Sequence, residues 1–376
     1  MTSTVRFPLL RFARPSQAGF TLVELMVGLA IGMLATLVVM QVFSVFEAQK
    51  RATTGAADAQ TDGNIALYTV TRDLQLAGYG LIPDGKPSIA DSALECPSVT
   101  DFTAASAVAA DLSPVTIVDG GSGNGGDSII IRYGTSSTGG IPTRITTAVT
   151  TDTMTVQAST GCKGGDIALI MNTAGPMVCA LAQVASGVPA PYTISFSDSR
   201  ARTSGAAVQS ALIACLGSWN VVTYSVDSVN GNLVVQNGTN APVPIVAGIV
   251  NMQAQYGIAD PLASNDPNFN KIVQWVDATG ATWANPTVAN RNRIKAVRIA
   301  IAARSATFAP NIVTTACNAG SDLCAWTALS PAPRDASPAP NIKLLGTGNT
   351  DWGHYRYKVF ETIVPLRNVI WSRGTL

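Results

Sequence analysis

The residues that could perform chemistry are few. His354 is the one histidine, and it lies far from any pair of cysteines, so the tight spacing of a zinc site is missing. The sequence contains no nucleophile elbow, zinc-protease helix motif or phosphate loop. The glycine-rich segment 120–127 lacks the lysine and the following helix that phosphate binding requires, so we expect a turn there. We therefore predict no enzyme activity and no cofactor, and a structural or surface role for His354.

One segment has the spacing of a calcium loop. Asp266, Asn268 and Asn270 place side-chain oxygens at every second residue, and Asp277 falls at the twelfth position. Lys271 stands where such loops need glycine, however, and the last ligand is usually glutamate. Clusters of Asp and Asn with proline more often form turns. We predict no metal site, and these four residues are the calcium candidate.

Glu24 is the acidic residue in the most unusual setting. It is the only charged residue between Phe20 and Phe46. An apolar run of this length can cross a membrane as a helix, because about 20 residues span the hydrocarbon core. A carboxylate within such a run is costly, which makes it a functional hypothesis by default.

The segment Gly19–Glu24, with the sequence GFTLVE, follows a short basic leader and precedes the apolar run. It resembles the class III signal of type IV pilins and pseudopilins. The resemblance implies that a membrane-embedded prepilin peptidase cleaves between Gly19 and Phe20, that the new amine of Phe20 is N-methylated, and that Glu24 guides docking into a filament. It also implies that the helix first anchors the subunit in the inner membrane and later packs in the filament core.

Simple physical arguments agree with these roles. Gly19 has no side chain, which suits close approach by a peptidase. Glu24 could pair with the Phe20 ammonium of a neighbouring subunit, which would remove two charges from an apolar setting. A conventional secretory signal would have a shorter apolar core with its cleavage site after it. Here the cleavage site comes before the apolar run, so we expect the anchor to stay in the mature protein. An ordinary signal anchor with a stray glutamate is the alternative.

Charge and composition limit the location and the partners. The leader holds three of the 24 basic residues and none of the 23 acidic ones, so the mature chain has 21 and 23. This balance argues against a nucleic-acid partner, which would need a basic patch. The positive-inside rule places the leader in the cytoplasm and the rest outside. Only 12% of the residues are charged, against about 25% in typical soluble domains, which suits a secreted β-rich protein.

The even number of cysteines predicts disulfides in a chain expected to be exported, and six cysteines allow 15 pairings. Cys317 and Cys324 enclose a short loop and form the best local pair. Cys162–Cys179 and Cys96–Cys215 are the pairs that remain.

The spacing of apolar residues extends the helix beyond Phe46. One apolar face is formed by Leu67, Val70, Leu74 and Ala77. Gly78 and Gly80 predict its end, so we expect one helix from Phe20 to about Ala77. Gly28 and Gly32 have the spacing that lets membrane helices approach closely; they serve packing between subunits, or simply reflect the frequency of glycine in membrane helices. Many major pilins have a proline within the apolar stretch, and its absence here favours a minor subunit.

Beyond about Asp84, short apolar runs between turn residues predict an antiparallel sheet. The predicted strands are 128–133, 153–158, 166–171, 192–197, 220–226, 232–237, 251–258, 271–276, 294–304 and a strand within 354–370. Val297, Ile299 and Ile301 alternate with Arg298 and Ala300, which predicts a strand with one buried face. The proline-rich segment 330–340 is predicted to be a loop.

Four of these segments together resemble the PilW family of minor pilins. They are RDLQLAGYG (72–80), MQAQYGIAD (252–260), Trp283 followed by RIKAVRIAIAAR (293–304), and KVFETIVPLRNVIW (358–371). The segment from about 85 to 245 matches nothing in that pattern. The family implies a low-abundance subunit that acts with other minor pilins and a tip-located adhesin-like protein to prime assembly and sit near the pilus tip.

The sequence thus predicts an α+β, pilin-like fold, in which a long N-terminal helix packs on an antiparallel β-sheet with enlarged β-rich loop insertions. Its predicted parts are the leader (1–19), the membrane and filament-core half of the helix (20–46), the amphipathic half (47–80) and a periplasmic β-rich domain (81–376). We expect a minor pilin anchored in the inner membrane before assembly and at the cell surface afterwards, with other minor pilins, a major pilin and the prepilin peptidase as partners. The alternatives are a minor pseudopilin of a type II secretion system and a membrane-anchored periplasmic binding protein or enzyme.

Overall fold

The chain forms one long helix followed by a series of antiparallel sheets. The computed structural model describes residues 19–81, 96–103, 108–121, 125–147, 152–158, 161–174, 177–186, 192–200, 204–262, 266–315, 323–326, 341–344 and 351–370. Helix α1 spans Leu22–Leu76, close to the predicted Phe20 to Ala77. The chain divides into two compact units, Met1–Thr54 and Gly55–Leu376, so the first half of α1 belongs to one unit and the second half to the other.

Nineteen strands follow α1 in the described residues. They are β1 (Val99–Asp101), β2 (Val108–Ala110), β3 (Val115–Val118), β4 (Ser128–Tyr133), β5 (Thr143–Arg144), β6 (Thr153–Thr155), β7 (Ile167–Asn172), β8 (Val178–Gln183), β9 (Thr193–Ser195), β10 (Leu212–Gly217), β11 (Asn220–Asp227), β12 (Asn232–Asn237), β13 (Val243–Ala247), β14 (Ile249–Ala259), β15 (Ile272–Val276), β16 (Ile294–Arg304), β17 (Leu323–Ala325), β18 (Asn341–Lys343) and β19 (Tyr357–Pro365). The short helices are α2 (Gly280–Trp283), α3 (Val288–Arg291) and α4 (Arg367–Ile370), with a 3₁₀ turn at Asp351–His354.

Three larger sheets organise these strands. The C-terminal sheet has the order β15-β14-β16-β19, the five-stranded sheet β13-β12-β11-β4-β3, and the six-stranded sheet β2-β1-β8-β7-β10-β5. Two pairs, β17-β18 and β6-β9, stand apart. Pairing is antiparallel except between β1 and β8, which run parallel. The predicted α+β fold with a long N-terminal helix and antiparallel sheets is confirmed.

The second half of α1 closes the main hydrophobic core. Ala66, Val70 and Leu74 are fully buried in a cluster that also contains side chains of the C-terminal and five-stranded sheets. Burying a large apolar side chain contributes about 1.5–3 kcal/mol, so this one face of the helix fixes the two sheets together. Gly63 lies so close to β19 that a Cβ atom there would overlap the Phe360 ring.

The end of α1 is held by the end of the chain. The side-chain amide of Asn368, in α4, donates to the backbone oxygens of Gln75, Leu76 and Ala77 at 3.4, 3.3 and 3.1 Å. Gly78 has a φ of +77°, the left-handed conformation that glycine adopts readily after a helix. The last carbonyls of the helix, which have no partner within a helix, are thereby satisfied.

Strand β16 is buried on both faces, so the predicted single buried face is wrong. Ile299 and Ile301 face the main core, as expected. On the other face Ala300 and Ala302 pack with Trp326 and with Ile342 of β18. The β17-β18 pair therefore covers the face that the alternation predicted to be exposed.

Arg298 is the charged residue on that covered face, and it is buried. Its guanidinium carbon lies 5.0 Å from the ring centre of Trp275 and 5.1 Å from that of Trp326. Its Nε donates to Gln255 Oε1 at 2.6 Å. Aromatic rings and a polar acceptor offset the cost of removing the charge from water.

The predicted disulfides Cys162–Cys179 and Cys96–Cys215 are wrong. The structure pairs Cys96 with Cys179 and Cys162 with Cys215, with Cα atoms 6.0 and 5.5 Å apart. Strand order is the reason: β1 lies beside β8 and places Val99 opposite Cys179, which brings Cys96 close to that strand. Cys324 is also disulfide-bonded, whereas Cys317 lies outside the described residues, as do the leader through Ala18 and the predicted loop 330–340.

Candidate functional site

Glu24 and Thr21 form a reciprocal pair at the start of α1. The Glu24 amide donates to Thr21 Oγ1 at 3.3 Å, and Glu24 Oε2 accepts from the Thr21 amide at 3.3 Å and from its hydroxyl at 3.4 Å. This is the pattern of a capping box, in which Thr and Glu three residues apart satisfy unpaired amides at a helix start. This cap was not among the predictions, although Thr-Leu-Val-Glu has the required spacing. Glu24 thus has a local role at the positive end of the helix dipole.

The apolar segment after Thr21 is exposed throughout. Every residue from Gly19 to Arg51 is exposed, including Phe20 at 83% and Phe46 at 66%. An 18-residue window of α1 has a mean hydropathy of 2.4 with none of its residues buried, which is long and apolar enough to cross a membrane. Contiguous apolar surface of this extent marks a site of contact with lipid or with other proteins. A helix that is apolar on all sides is normally buried in a protein core or in a membrane.

Gly28 and Gly32 lie one turn apart on this exposed segment. A Cβ atom at either position would meet no described atom within 4 Å. A larger side chain would therefore fit at both positions in the single subunit. Gly63 differs, because β19 approaches it closely. Both positions leave a small-residue face available for another helix.

Asp73 fixes the second half of α1 to the five-stranded sheet. It is buried, and its Oδ2 accepts from the Tyr224 hydroxyl at 2.7 Å, while Arg72 Nε donates to Oδ1 at 3.1 Å. Burial and the bond to Asp73 raise the pKa of the Tyr224 phenol. Asp73 could not be singled out from the sequence, because its partner Tyr224 lies 151 residues away and only the fold brings the two together.

Asp127 is a second buried acid that the sequence analysis missed. Its Oδ1 accepts from the Gly120 amide at 2.9 Å and its Oδ2 from the Ala254 amide at 2.8 Å. It therefore joins the glycine-rich segment before β4 to strand β14 of the C-terminal sheet. Burial raises the pKa of Asp127 to about 7, although the two amide donors act in the opposite direction.

The calcium candidate is not assembled. Asp266 Oδ1 accepts from the Asn268 amide at 2.8 Å, which is a turn within the loop. Strand β15 separates Asn270 from Asp277, and a strand rises about 3.3 Å per residue, so Asp277 lies at the far end. There its Oδ1 accepts from Gln255 Nε2. Among the described residues no group of three or more His, Cys, Asp or Glu side chains could hold a metal ion.

His354 has a structural role in the described residues. Its ring stacks on Phe308 with centres 4.7 Å apart and an angle of 12° between the planes. Its Nδ1 lies 2.7 Å from the backbone oxygen of Ala309. These contacts attach the loop after β16 to the 3₁₀ turn that precedes β19.

Comparisons with known proteins match the two ends of the chain. Residues 14–40 match the prokaryotic N-terminal methylation motif, and residues 223–368 match the Type IV Pilus-assembly protein W family. No curated protein matches the chain. A solved type IV-like pilin from Thermus thermophilus is similar at 10% identity and a TM-score of 0.33, over 82% of this chain and 96% of that one, which is too remote to carry an argument.

The two family matches cover the exposed start of α1 and the C-terminal sheet. The first contains the leader junction, the Thr21–Glu24 pair and both exposed glycines. The second begins within β11 and contains the whole C-terminal sheet that packs against α1. The chain therefore joins a segment that matches the N-terminal methylation motif, at the start of its exposed helix, to a C-terminal sheet that matches the PilW family.

Proposed function

We propose that the chain is a minor pilin of a type IV pilus, incorporated after cleavage between Gly19 and Phe20 and methylation of the Phe20 amine. The exposed apolar half of α1 is the observation that carries this proposal. It is joined to a folded β-rich unit, and such a segment needs lipid before assembly and other helices afterwards. The inner membrane and the filament core supply these two environments in turn.

Glu24 has the chemistry to direct insertion. An ionised carboxylate accepts hydrogen bonds at about four positions. The capping bonds to Thr21 use one oxygen, Oε2, so Oε1 can accept from the methylated ammonium of a neighbouring Phe20. Such a pair inside a helix bundle removes the cost of two separate charges in an apolar environment.

The proposed place of the subunit is at the start of the filament, where it primes assembly with other minor pilins and a tip-located adhesin-like protein, and then sits near the tip. The large unit Gly55–Leu376 supports this place, because sheets beyond the one that packs on α1 offer surface for contacts with other subunits. Before assembly the subunit is a single-pass inner-membrane protein with its β-rich unit in the periplasm.

Deletion of the gene, followed by complementation, tests the proposal. We expect loss or strong reduction of surface pili and of twitching motility, restored by the wild-type gene. Normal piliation and motility after deletion would contradict the proposal, and a defect in protein secretion instead would indicate a pseudopilin.

Processing is tested by a matched pair of substitutions. Gly19→Ala should be cleaved nearly as well as the wild type, whereas Gly19→Leu should stay uncleaved because its side chain blocks close approach by the peptidase. Mass spectrometry of the purified protein reads the N-terminus directly. A mature N-terminus other than methylated Phe20 would rule out this maturation.

A further inference from the structure

Lys295 occupies an irregular position in strand β16. The pairing of β14 with β16 places Gly257 opposite Ala296 but Ile258 opposite Ile294, so Lys295 is an extra residue in a β-bulge. Bulges redirect a side chain and are common beside functional sites. Lys295 is only 1% exposed, so its ammonium lies within the fold and not on the surface.

The lysine lines a cavity at the end of the C-terminal sheet, where β14 ends and β16 begins. The cavity encloses about 330 Å³, within the range of small-molecule sites. Its apolar walls are formed by Ala259, Pro261, Leu262, Phe269 and Ala289, and its polar groups by Asp260, Asn290, Asn292, Arg293 and Lys295. The Lys295 ammonium lies 4.4 Å from the centre of the Phe269 ring, so the charge and an aromatic face belong to the same cavity.

Arg293 is held firmly in the same cavity. Its Nε donates to the backbone oxygen of Ala259 at 2.9 Å, and its Nη1 donates to Asn290 Oδ1 at 3.2 Å. Its guanidinium carbon lies 5.4 Å from the ring centre of Trp283. A cation fixed in this way can meet an anion without losing side-chain freedom on binding.

The charges of the lining decide the class of ligand. Two cations, Lys295 and Arg293, face one acid, Asp260, among mostly apolar walls. A carboxylate can accept charge-assisted hydrogen bonds from such cations, and an apolar or aromatic body fills the remaining volume. We propose that this cavity binds a small carboxylate with an apolar or aromatic body. This site is separate from the exposed half of α1 and does not depend on the proposed role in the pilus.

Three probes that differ in one property each test the proposal. The full-length protein in detergent micelles is titrated calorimetrically with sodium benzoate, benzamide and sodium acetate. Benzamide has the shape of benzoate without its charge, and acetate has the carboxylate without the ring. We expect saturable benzoate binding at least about 10-fold tighter than either of the others, since hydrogen bonds to charged groups have an effect of this order. Equal binding of benzoate and benzamide, or no benzoate binding, would overturn the proposal.

Three variants locate the binding. Lys295→Met should weaken benzoate binding about 10-fold or more, whereas Lys271→Met, at an exposed lysine next to the same loop, should stay close to the wild type. Ala289→Trp keeps both cations but fills the cavity from an exposed lining position. It should abolish benzoate binding, and it decides the matter if Lys295→Met fails to fold. Unchanged benzoate binding in either folded cavity variant would refute the site.

Discussion

Glu24→Gln separates two roles that Glu24→Ala would remove together. In the structure Glu24 is a capping residue for Thr21, and in the proposed function it is the partner of a neighbouring ammonium. Glutamine is accepted at this position of a capping box, so Glu24→Gln keeps the local hydrogen bonds and removes only the charge. Thr21→Ala does the reverse, because it removes the hydroxyl of the cap and keeps the carboxylate.

The two roles differ in size. Loss of a helix cap costs about 0.5–2 kcal/mol. Removing one member of a buried ion pair costs about 3–5 kcal/mol, because the other charge stays buried without a partner. A cost of about 3–5 kcal/mol corresponds to a fall of roughly 150- to 5,000-fold in the equilibrium for subunit insertion. We therefore expect Glu24→Gln to be cleaved normally but to be nearly absent from filaments, like Glu24→Ala, whereas Thr21→Ala assembles with a modest loss.

The assay is complementation of a deletion strain, with the subunit quantified in sheared pili and in membranes. The control is Glu47→Gln, which removes an acid from the same helix outside the apolar run. Glu47 forms an exposed ion pair with Arg51 at 3.3 Å, and such pairs contribute little. Normal assembly of Glu24→Gln together with failure of Thr21→Ala would refute the charge-pairing argument and leave Glu24 as a helix cap.

Three other predictions concern the folded unit. Because burial raises the pKa of Asp127 to about 7, the folded state holds this proton more tightly than the unfolded chain, so the free energy of unfolding should fall as pH rises from about 5 to 8. Denaturant titrations should show a smaller slope for Asp127→Asn, while the control Asp227→Asn keeps the wild-type slope, because hydrogen bonds from Asn230 lower the pKa of this half-buried acid and it stays ionised in both states above pH 5. Non-reducing peptide mapping should recover the linked pairs Cys96–Cys179 and Cys162–Cys215, and recovery of Cys162–Cys179 would contradict the strand order. Replacing both members of the first pair by serine should lower the free energy of unfolding by about 4 kcal/mol. Gly63→Ala should lower the free energy of unfolding by about 1–3 kcal/mol, because Phe360 must move, whereas Gly28→Ala should not lower it; equal effects in thermal melts would contradict the close approach at Gly63.

The strands that could be predicted are those whose residue types favour strands strongly. Strands β4, β12 and β16 have the predicted bounds, since they are rich in β-branched residues and have clear turn residues at their ends. Strands β8 and β10 were missed. Their sequences, VCALAQ and LIACLG, contain few β-branched residues, and their burial shows no alternation because both faces are covered.

The functional residues also differ in how far the sequence alone could identify them. Gly19, Phe20 and Glu24 are close in sequence, so a local motif is enough to single them out. The disulfides depend on which strands become neighbours, and the pairs left over after Cys317–Cys324 were therefore the wrong ones. Arg298 is buried because the β17-β18 pair, distant in sequence, covers it, and the cavity at Lys295 depends on a bulge in β16. Neither feature can be recognised from the residues of one segment.

The Asn368 amide that closes α1 has a consequence for the order of events in biogenesis. It acts on carbonyls that precede it by as many as 293 residues. A ribosome adds about 5–20 residues per second, so roughly 15–60 s of synthesis separates the helix from its final contact. During that interval the helix is already made while β16 and β19, which complete its apolar face, have yet to follow. In the function proposed above, the membrane anchor or a chaperone would have to keep that face from aggregating until synthesis is nearly complete.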